Sequence, residues 1–129
     1  MQSQTEAQGY YRHPAIFENI IVFVSEDDLW TVEASGGVAR RLTAGLAECA
    51  FPSVSPDGKF IAFVSSEEGQ PDVYLMPILG GQPKRLTYLG ATGTRVIGWH
   101  DGKIIFATNA KQPFLNLQAA YALSPESGE

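Results

Sequence analysis

One unit occurs three times along this 129-residue chain, and the repetition limits the possible folds more than any other feature of the sequence. The clearest copy runs from Phe51 to Thr87. Three landmarks recur at an offset of 44 residues: the aromatic pair Trp30 and Tyr74, the glycine pairs 36–37 and 80–81, and the Arg-Leu-Thr triplets 41–43 and 85–87. The offset between Phe23 and Phe63 is only 40, so four extra residues fall in the loop 66–71 of the second copy. Insertions confined to loops are typical of structural repeats.

Each copy is predicted to form short antiparallel strands. Ser55-Pro56-Asp57-Gly58 predicts a hairpin turn, because proline pre-sets the backbone of a type I turn and Gly58 can adopt a positive φ. The segment 60–64 after the turn is apolar on both faces, which indicates a strand that is covered on both sides. Lys84 and Arg85 in the last segment, 84–87, are typical of an exposed sheet edge.

These features predict an all-β fold built from β-propeller blades. The apolar runs are too short for amphipathic helices, and a period of about 40–45 residues with four strands per unit is typical of blades stacked around a central channel. The expected organisation is a flexible leader at 1–8 and a partial propeller at 9–129. Its blades are expected at about 9–43, 50–87 and 95–129, the third without its outer strand. Three blades do not close a ring, so we expect the chain to be part of a larger propeller.

Charge and composition argue against several classes of function. The chain has 14 acidic and nine basic residues, a formal net charge of -5, and basic pairs only, such as Arg40-Arg41 and Lys84-Arg85. These pairs are interpreted as solvated edge charges, and no nucleic-acid partner is expected. The sequence has no run of 18 apolar residues and no basic amino-terminal region followed by an apolar run, so we expect a cytoplasmic protein without a membrane partner.

No catalytic, cofactor-binding or metal-binding residue is predicted in this chain, and no cofactor is expected. His13 and His100 lack metal-ligand spacing and are interpreted as structural. Ser25, Ser55 and Ser65 have no Gly-x-Ser-x-Gly elbow. The single cysteine, Cys49, has no intrachain partner for a disulfide and is expected to pack as a small hydrophobe.

The remaining polar, glycine and aromatic residues are assigned structural or solvent-exposed roles. The acidic runs 26–28 and 67–68 could meet a cation or a peptide amino terminus, but solvated loops are the favoured interpretation. Asp57 and Asp101 are expected to cap turns, and the glycine pairs to form hairpins. Trp30, Tyr74 and Tyr121 are expected to pack blades against one another.

The motifs Ser-Pro-Asp-Gly-Lys (55–59), Ile-Ala-Phe-Val-Ser (61–65), Tyr-Leu-Met (74–76) and Arg-Leu-Thr (85–87) resemble the WD40-like repeat of TolB, prolyl-oligopeptidase-type propellers and tricorn proteases. More specifically, the segments 9–14, 23–32 and 36–43 look like the start of the N-terminal propeller of a tricorn protease. Gly98-Trp99 and the segments 105–110 and 112–114 continue the likeness, which covers roughly residues 9–123.

The resemblance implies a segment of a large cytoplasmic serine peptidase. In that family a six-bladed and a seven-bladed propeller precede a PDZ-like module and the catalytic domains, and the propellers gate and channel peptides. The expected partners are therefore peptides in the parent channel, together with the remaining parent domains or a second copy that closes the ring. Two alternatives stay open: a TolB-like protein-interaction scaffold and the lid propeller of a prolyl-oligopeptidase-type hydrolase.

Overall fold

The computed structural model describes residues 11–44, 48–66, 69–89, 93–110 and 119–125. Within them the chain forms strands and no helix, in agreement with the predicted all-β class. The strands are β1 (Tyr11–Phe17), β2 (Ile20–Ser25), β3 (Asp28–Glu33), β4 (Arg40–Arg41), β5 (Cys49–Val54), β6 (Phe60–Ser65), β7 (Asp72–Pro77), β8 (Lys84–Arg85), β9 (Thr94–His100), β10 (Lys103–Thr108) and β11 (Ala119–Leu123). The predicted leader at 1–8, the acidic pair at 67–68 and the end of the chain at 126–129 lie outside the described residues.

The strands form three antiparallel sheets in which each strand pairs with its neighbour along the chain. The first sheet has the order β1-β2-β3-β4, the second β5-β6-β7-β8, and the described part of the third β11-β10-β9. Phe23 pairs with Trp30, Phe63 with Tyr74, and Phe106 with Tyr121. Those three pairs confirm that the repeats align as the sequence spacing predicts.

The turn between β5 and β6 has the predicted geometry. The Gly58 N–H donates to the Ser55 carbonyl at 2.8 Å, and Gly58 has a φ of 74°. The Asp57 carboxylate accepts hydrogen bonds from the Ser55 hydroxyl at 2.6 Å and from the Lys59 N–H at 3.0 Å. Asp57 therefore caps the turn, as predicted.

The sheets pack face to face, with the second sheet between the other two. One face of the second sheet contributes Ile61, Phe63, Tyr74 and Met76 to a core shared with the first sheet. The opposite face contributes Ala62, Val64, Val73 and Leu75 to a core shared with the third. Residues 61–65 of β6 are all buried, which confirms the predicted cover on both sides for 61–64, whereas Phe60 is exposed.

Among the inner strands, β5 contacts both β1 and β9, so the sheets converge along this edge. The outer strands β4 and β8 have only two residues each, so β8 is shorter than the segment 84–87 that the sequence predicts. Among the described residues, no helix is long and apolar enough to span a membrane.

Candidate functional site

A buried carboxylate ties the third strand of the second sheet to the residues after the outer strand. One oxygen of Asp72 accepts from Arg85 Nη2 at 2.6 Å, and the other accepts from the Thr87 hydroxyl at 2.8 Å and the Leu89 N–H at 2.8 Å. The Thr87 hydroxyl in turn accepts from the Val73 N–H at 3.0 Å. Because a carboxylate is buried at low cost only when it is paired and hydrogen-bonded, these contacts account for its position.

The first sheet repeats this arrangement. Asp28 accepts hydrogen bonds from Arg41 and from the Thr43 hydroxyl, the latter at 2.7 Å, and the Leu29 N–H donates to Thr43 at 3.0 Å. Two interpretations from the sequence are therefore wrong. Asp28 is a buried strand residue and not part of a solvated loop, and Arg85 is a mostly buried ion-pair partner and not a solvated edge charge, whereas Arg41 pairs with Asp28 and stays exposed. The strand register places the Arg-Leu-Thr triplet beside the first residue of β3 or β7, where each cation meets its carboxylate.

The third sheet lacks this carboxylate. Ala119 pairs with Thr108, in the position that Asp72 has opposite Ser65. The buried hydroxyls of Thr94 and Thr108 lie 2.9 Å apart there, and the Ala110 N–H donates to Thr108 at 3.1 Å. The Asp-Arg-Thr clusters of the first two sheets are thus structural ties.

Two inner-strand residues meet across the boundary between the first and second sheets. The rings of His13 and Phe51 stack with centroids 4.4 Å apart, and the Phe51 N–H donates to His13 Nδ1 at 3.3 Å. Both residues have positive φ, 52° and 54°, where each strand shifts register. Bulky residues rarely adopt this backbone conformation. Its occurrence at both His13 and Phe51, on adjoining inner strands, therefore indicates that the surrounding structure holds the pair in place.

An open cavity of about 250 Å³ lies against this ring pair. His13, Glu48, Phe51, Val64 and Thr94 are among its lining residues, so all three sheets contribute. Glu48 is exposed, and the structure gives its carboxylate no ion pair within the described residues. The cavity thus combines one solvent-accessible negative charge with an apolar wall and a hydroxyl.

A second cavity, of about 660 Å³, lies at the opposite end of the second and third sheets, beside the turn that contains Asp57. Phe60, Leu75, Lys84 and Trp99 also line it. Trp99 Nε1 donates to the Ser53 carbonyl at 3.1 Å, which links the inner strands of these two sheets. The indole therefore serves the packing between the sheets.

The serines considered as nucleophiles lie in a turn, inside the core and at a strand end. Ser55 belongs to the turn, where its hydroxyl also accepts from the Phe60 N–H at 3.0 Å. Ser65 is fully buried, and Ser25 ends β2 opposite Asp28. His100 is exposed, with Nε2 3.7 Å from the neighbouring Asp101 carboxylate.

Cys49 is buried as predicted, and its environment keeps the thiol protonated. The pKa of Cys49 is raised to about 11, chiefly by burial and also by the charges of Asp28 and Asp27, against hydrogen bonds with Thr43 and Ser65 that lower it. Reactive cysteines require the opposite, an electropositive and accessible environment. In the ranges that the structure describes, no group of three or more His, Cys, Asp or Glu side chains could hold a metal ion.

Sequence reasoning missed both the buried carboxylates and the ring pair. The sequence does indicate the buried carboxylates, because Asp28 and Asp72 are separated by the same 44 residues as the Arg-Leu-Thr triplets. For the ring pair the only signal is that each residue precedes a proline, Pro14 or Pro52.

Comparison with known proteins identifies a family whose model matches nearly the whole chain. Residues 8–129 match the model of the tricorn protease N-terminal β-propeller domain. Tricorn protease homolog 1 of Streptomyces coelicolor is 35% identical over 98% of this chain and 12% of its own length. A protein of Sulfurisphaera tokodaii, named as a tricorn-like protease N-terminal subunit, is 33% identical over 94% of this chain and 64% of its own. This chain therefore spans only part of each of these relatives.

The solved structures agree with that family. A crystal structure of the tricorn protease superposes with a TM-score of 0.80 and 29% identity, over 92% of this chain and 12% of that one. A TolB structure from Agrobacterium tumefaciens reaches 0.77 at 21% identity, over 92% of this chain and 44% of the other, which shows a shared propeller fold alone. The chain belongs to the tricorn protease N-terminal β-propeller family.

Proposed function

We propose that this chain forms part of a channel wall in a tricorn-type serine peptidase, where it gates and channels peptides and has no catalytic site of its own. The observation that supports the proposal is the convergence of β1, β5 and β9 at one edge, in a chain that matches the tricorn N-terminal propeller domain. Blades arranged in this way surround a central channel when the ring is complete. We further propose that the assembly is cytoplasmic, which cell fractionation would test.

In such a channel wall, exposed side chains on the inner strands would contact a passing peptide. Ile97 lies on β9, where the strand shifts register, and is 59% exposed. In the closed propeller we place this side chain next to the peptide path.

A thiol block at this position tests the channel role. Ile97→Cys in the full peptidase is modified with a bulky polyethylene-glycol maleimide, and hydrolysis of a long peptide is compared with that of a very short reporter. We expect modification to slow the long substrate and to leave the short one nearly unchanged. The native Cys49 does not interfere, since it is fully buried.

The matched control is Leu79→Cys, because Leu79 is 83% exposed and lies in the turn between β7 and β8, away from the inner strands. Modification there is expected to leave both rates unchanged. Equal rates for modified and unmodified Ile97→Cys enzyme on the long peptide would rule out the channel role.

The first and third sheets each have one face that no other sheet in the described part of this chain covers, and the partners that complete the ring are expected to pack there. In the first sheet Ile21, Trp30 and Val32 are only partly buried, on the face opposite Val22 and Val24. We propose that further parent blades cover this face, or that a second copy does so. Light scattering of the purified chain distinguishes the two: a dimer supports the second copy, and a monomer supports the parent blades.

A further inference from the structure

We infer that the cavity beside the His13–Phe51 pair, which we name the inner-edge cavity, binds a positively charged nitrogen group of a peptide. The group is the side chain of lysine or arginine, or a free amino terminus. This inference rests on the proposed channel function and deepens it, because it assigns a charge preference to one point on the channel wall.

The size of the cavity fits one side chain. Its volume of about 250 Å³ lies below the range of roughly 300–1,000 Å³ that is usual for pockets holding whole small molecules. Since it is open to solvent and bordered by inner strands, a peptide passing along the strand edge could insert a single side chain without leaving its path.

The lining has the composition that a cationic side chain requires. Phe51 and Val64 form an apolar wall for a methylene stem, and the Glu48 carboxylate can accept charge-assisted hydrogen bonds from the terminal nitrogen. Thr94 also lines the cavity, with its buried hydroxyl hydrogen-bonded to that of Thr108. Arg95, the next residue on β9, points to the opposite face of the sheet because successive side chains alternate, so its cation does not compete.

The surroundings of Glu48 reinforce this preference. The Cys49 N–H donates to the Asp27 carbonyl at 3.0 Å, which fixes the residue after Glu48 to the turn between β2 and β3. Among the described residues no cation forms an ion pair with Glu48, so its carboxylate is available to a ligand.

The ring pair also fixes the shape of the cavity. Stacking against His13 and the hydrogen bond to its own N–H hold Phe51 in a backbone conformation that a bulky residue avoids. The cavity wall is therefore preformed, which lowers the entropic cost of binding a side chain.

Binding of three dye-labelled peptides to the full purified chain, followed by fluorescence anisotropy, tests the inference. The first is acetylated and contains one arginine, the second replaces that arginine by neutral citrulline, and the third has a free amino terminus and no basic side chain. All three carry the dye at the carboxyl end. We expect the arginine peptide to bind about tenfold more tightly than the citrulline peptide, the effect of one charge-assisted contact. Tighter binding of the third peptide than of the citrulline peptide would assign the site to amino termini as well.

Two variants locate the effect. Glu48→Gln removes the charge at an exposed position with little change in shape, and it is expected to abolish the preference for arginine over citrulline. Glu33→Gln removes an equal charge at the other end of the first sheet and is expected to keep the preference. Circular dichroism confirms that both variants remain folded.

The outcomes separate this inference from the channel proposal. Equal binding of the arginine and citrulline peptides, or a preference that survives Glu48→Gln, overturns the cationic site while peptide binding itself stands. Failure of all three peptides to bind overturns both.

Discussion

Asp72 and Arg85 form an ion pair at 2.6 Å in which the Asp72 side chain is 1% exposed and the Arg85 side chain 21%. The equivalent pair of the first sheet, Asp28 and Arg41, has the same partners but a cation that is 51% exposed. One motif thus occurs twice in this chain at two depths of burial. Removal of a partner is costly when it leaves a charge buried and cheaper when water can replace it.

The first prediction compares the two carboxylates. Asp72→Ala is expected to lower the free energy of unfolding by about 3–5 kcal/mol, because it removes the buried carboxylate that Arg85, the Thr87 hydroxyl and the Leu89 N–H share as an acceptor. Asp28→Ala is expected to cost about 1–3 kcal/mol, since Arg41 can turn to water. Urea denaturation of both variants measures the difference, and an equal loss would show that burial of the cation is not what sets the cost.

The second prediction concerns the contact between Gly58 and Phe17 of the first sheet, with Gly102 as the comparison. Gly58 and Gly102 end equivalent hairpin turns with nearly equal φ, 74° and 73°. A Cβ on Gly58 would lie 2.5 Å from Phe17 Cε2, whereas a Cβ on Gly102 meets nothing within 4 Å. Gly102→Ala therefore tests the backbone strain alone, and Gly58→Ala tests strain plus steric overlap.

Gly102→Ala is expected to cost about 1 kcal/mol from the positive φ alone. Gly58→Ala is expected to cost a further 1–3 kcal/mol or so, because the Phe17 ring must move and disturb the packing between sheets. Thermal melting of the two variants compares these costs directly. If the two midpoints fall by the same amount, the ring moves aside freely and the contact contributes nothing.

These two comparisons show which parts of the fold are readable from sequence. The turn at Gly58 and the doubly buried β6 could be predicted because they depend on local residue order and on apolar runs of strand length. The Phe17 contact could not, since it depends on how one sheet stacks on the next. The sequence therefore predicts the positive φ of Gly58, but it does not predict that the Phe17 ring leaves no room for a side chain there.

The candidate site shows the same division. Glu26-Asp27-Asp28 has the composition of a solvated loop, yet the strand starts at its last residue and buries that carboxylate beside Arg41. His13 and Phe51 are 38 residues apart and meet only because two inner strands shift register at the same level. Local composition carries no information on either relationship. The offset of 44 residues that the Asp and Arg-Leu-Thr positions share does indicate the ion pair, but it says nothing about the His13–Phe51 pair.

The third prediction concerns the protonation of Asp57. Its pKa lies below the ordinary value of 3.8, chiefly because the Ser55 hydroxyl donates to the carboxylate, and secondly because the Lys59 N–H does. Ser55→Ala is expected to raise this pKa toward 3.8. The carboxyl carbon shift of Asp57, followed by NMR during an acid titration, measures the change.

The sign of the stability effect follows from linkage. A lowered pKa in the folded state stabilises the protein above the unfolded value, and that contribution disappears as the pH falls through the folded pKa. The part of the Ser55→Ala destabilisation that acts through Asp57 should thus be present near neutral pH and vanish in strong acid. An unchanged titration midpoint for Asp57 in the variant would show that the Ser55 hydroxyl does not set its charge state.

The last prediction concerns Cys49 at alkaline pH. Burial raises its pKa from 9.0 to about 11, so between these values the unfolded chain loses the thiol proton and the folded chain keeps it. Ionisation of the unfolded state alone shifts the equilibrium toward unfolding, and stability should fall as the pH rises through this window. Cys49→Ala removes the thiol and is expected to flatten that part of the profile, while the other alkaline titrations remain common to both proteins. Urea midpoints across the window, taken for both proteins, give the difference. Parallel profiles would mean that the thiol ionises equally in both states, which is incompatible with a buried, protonated Cys49.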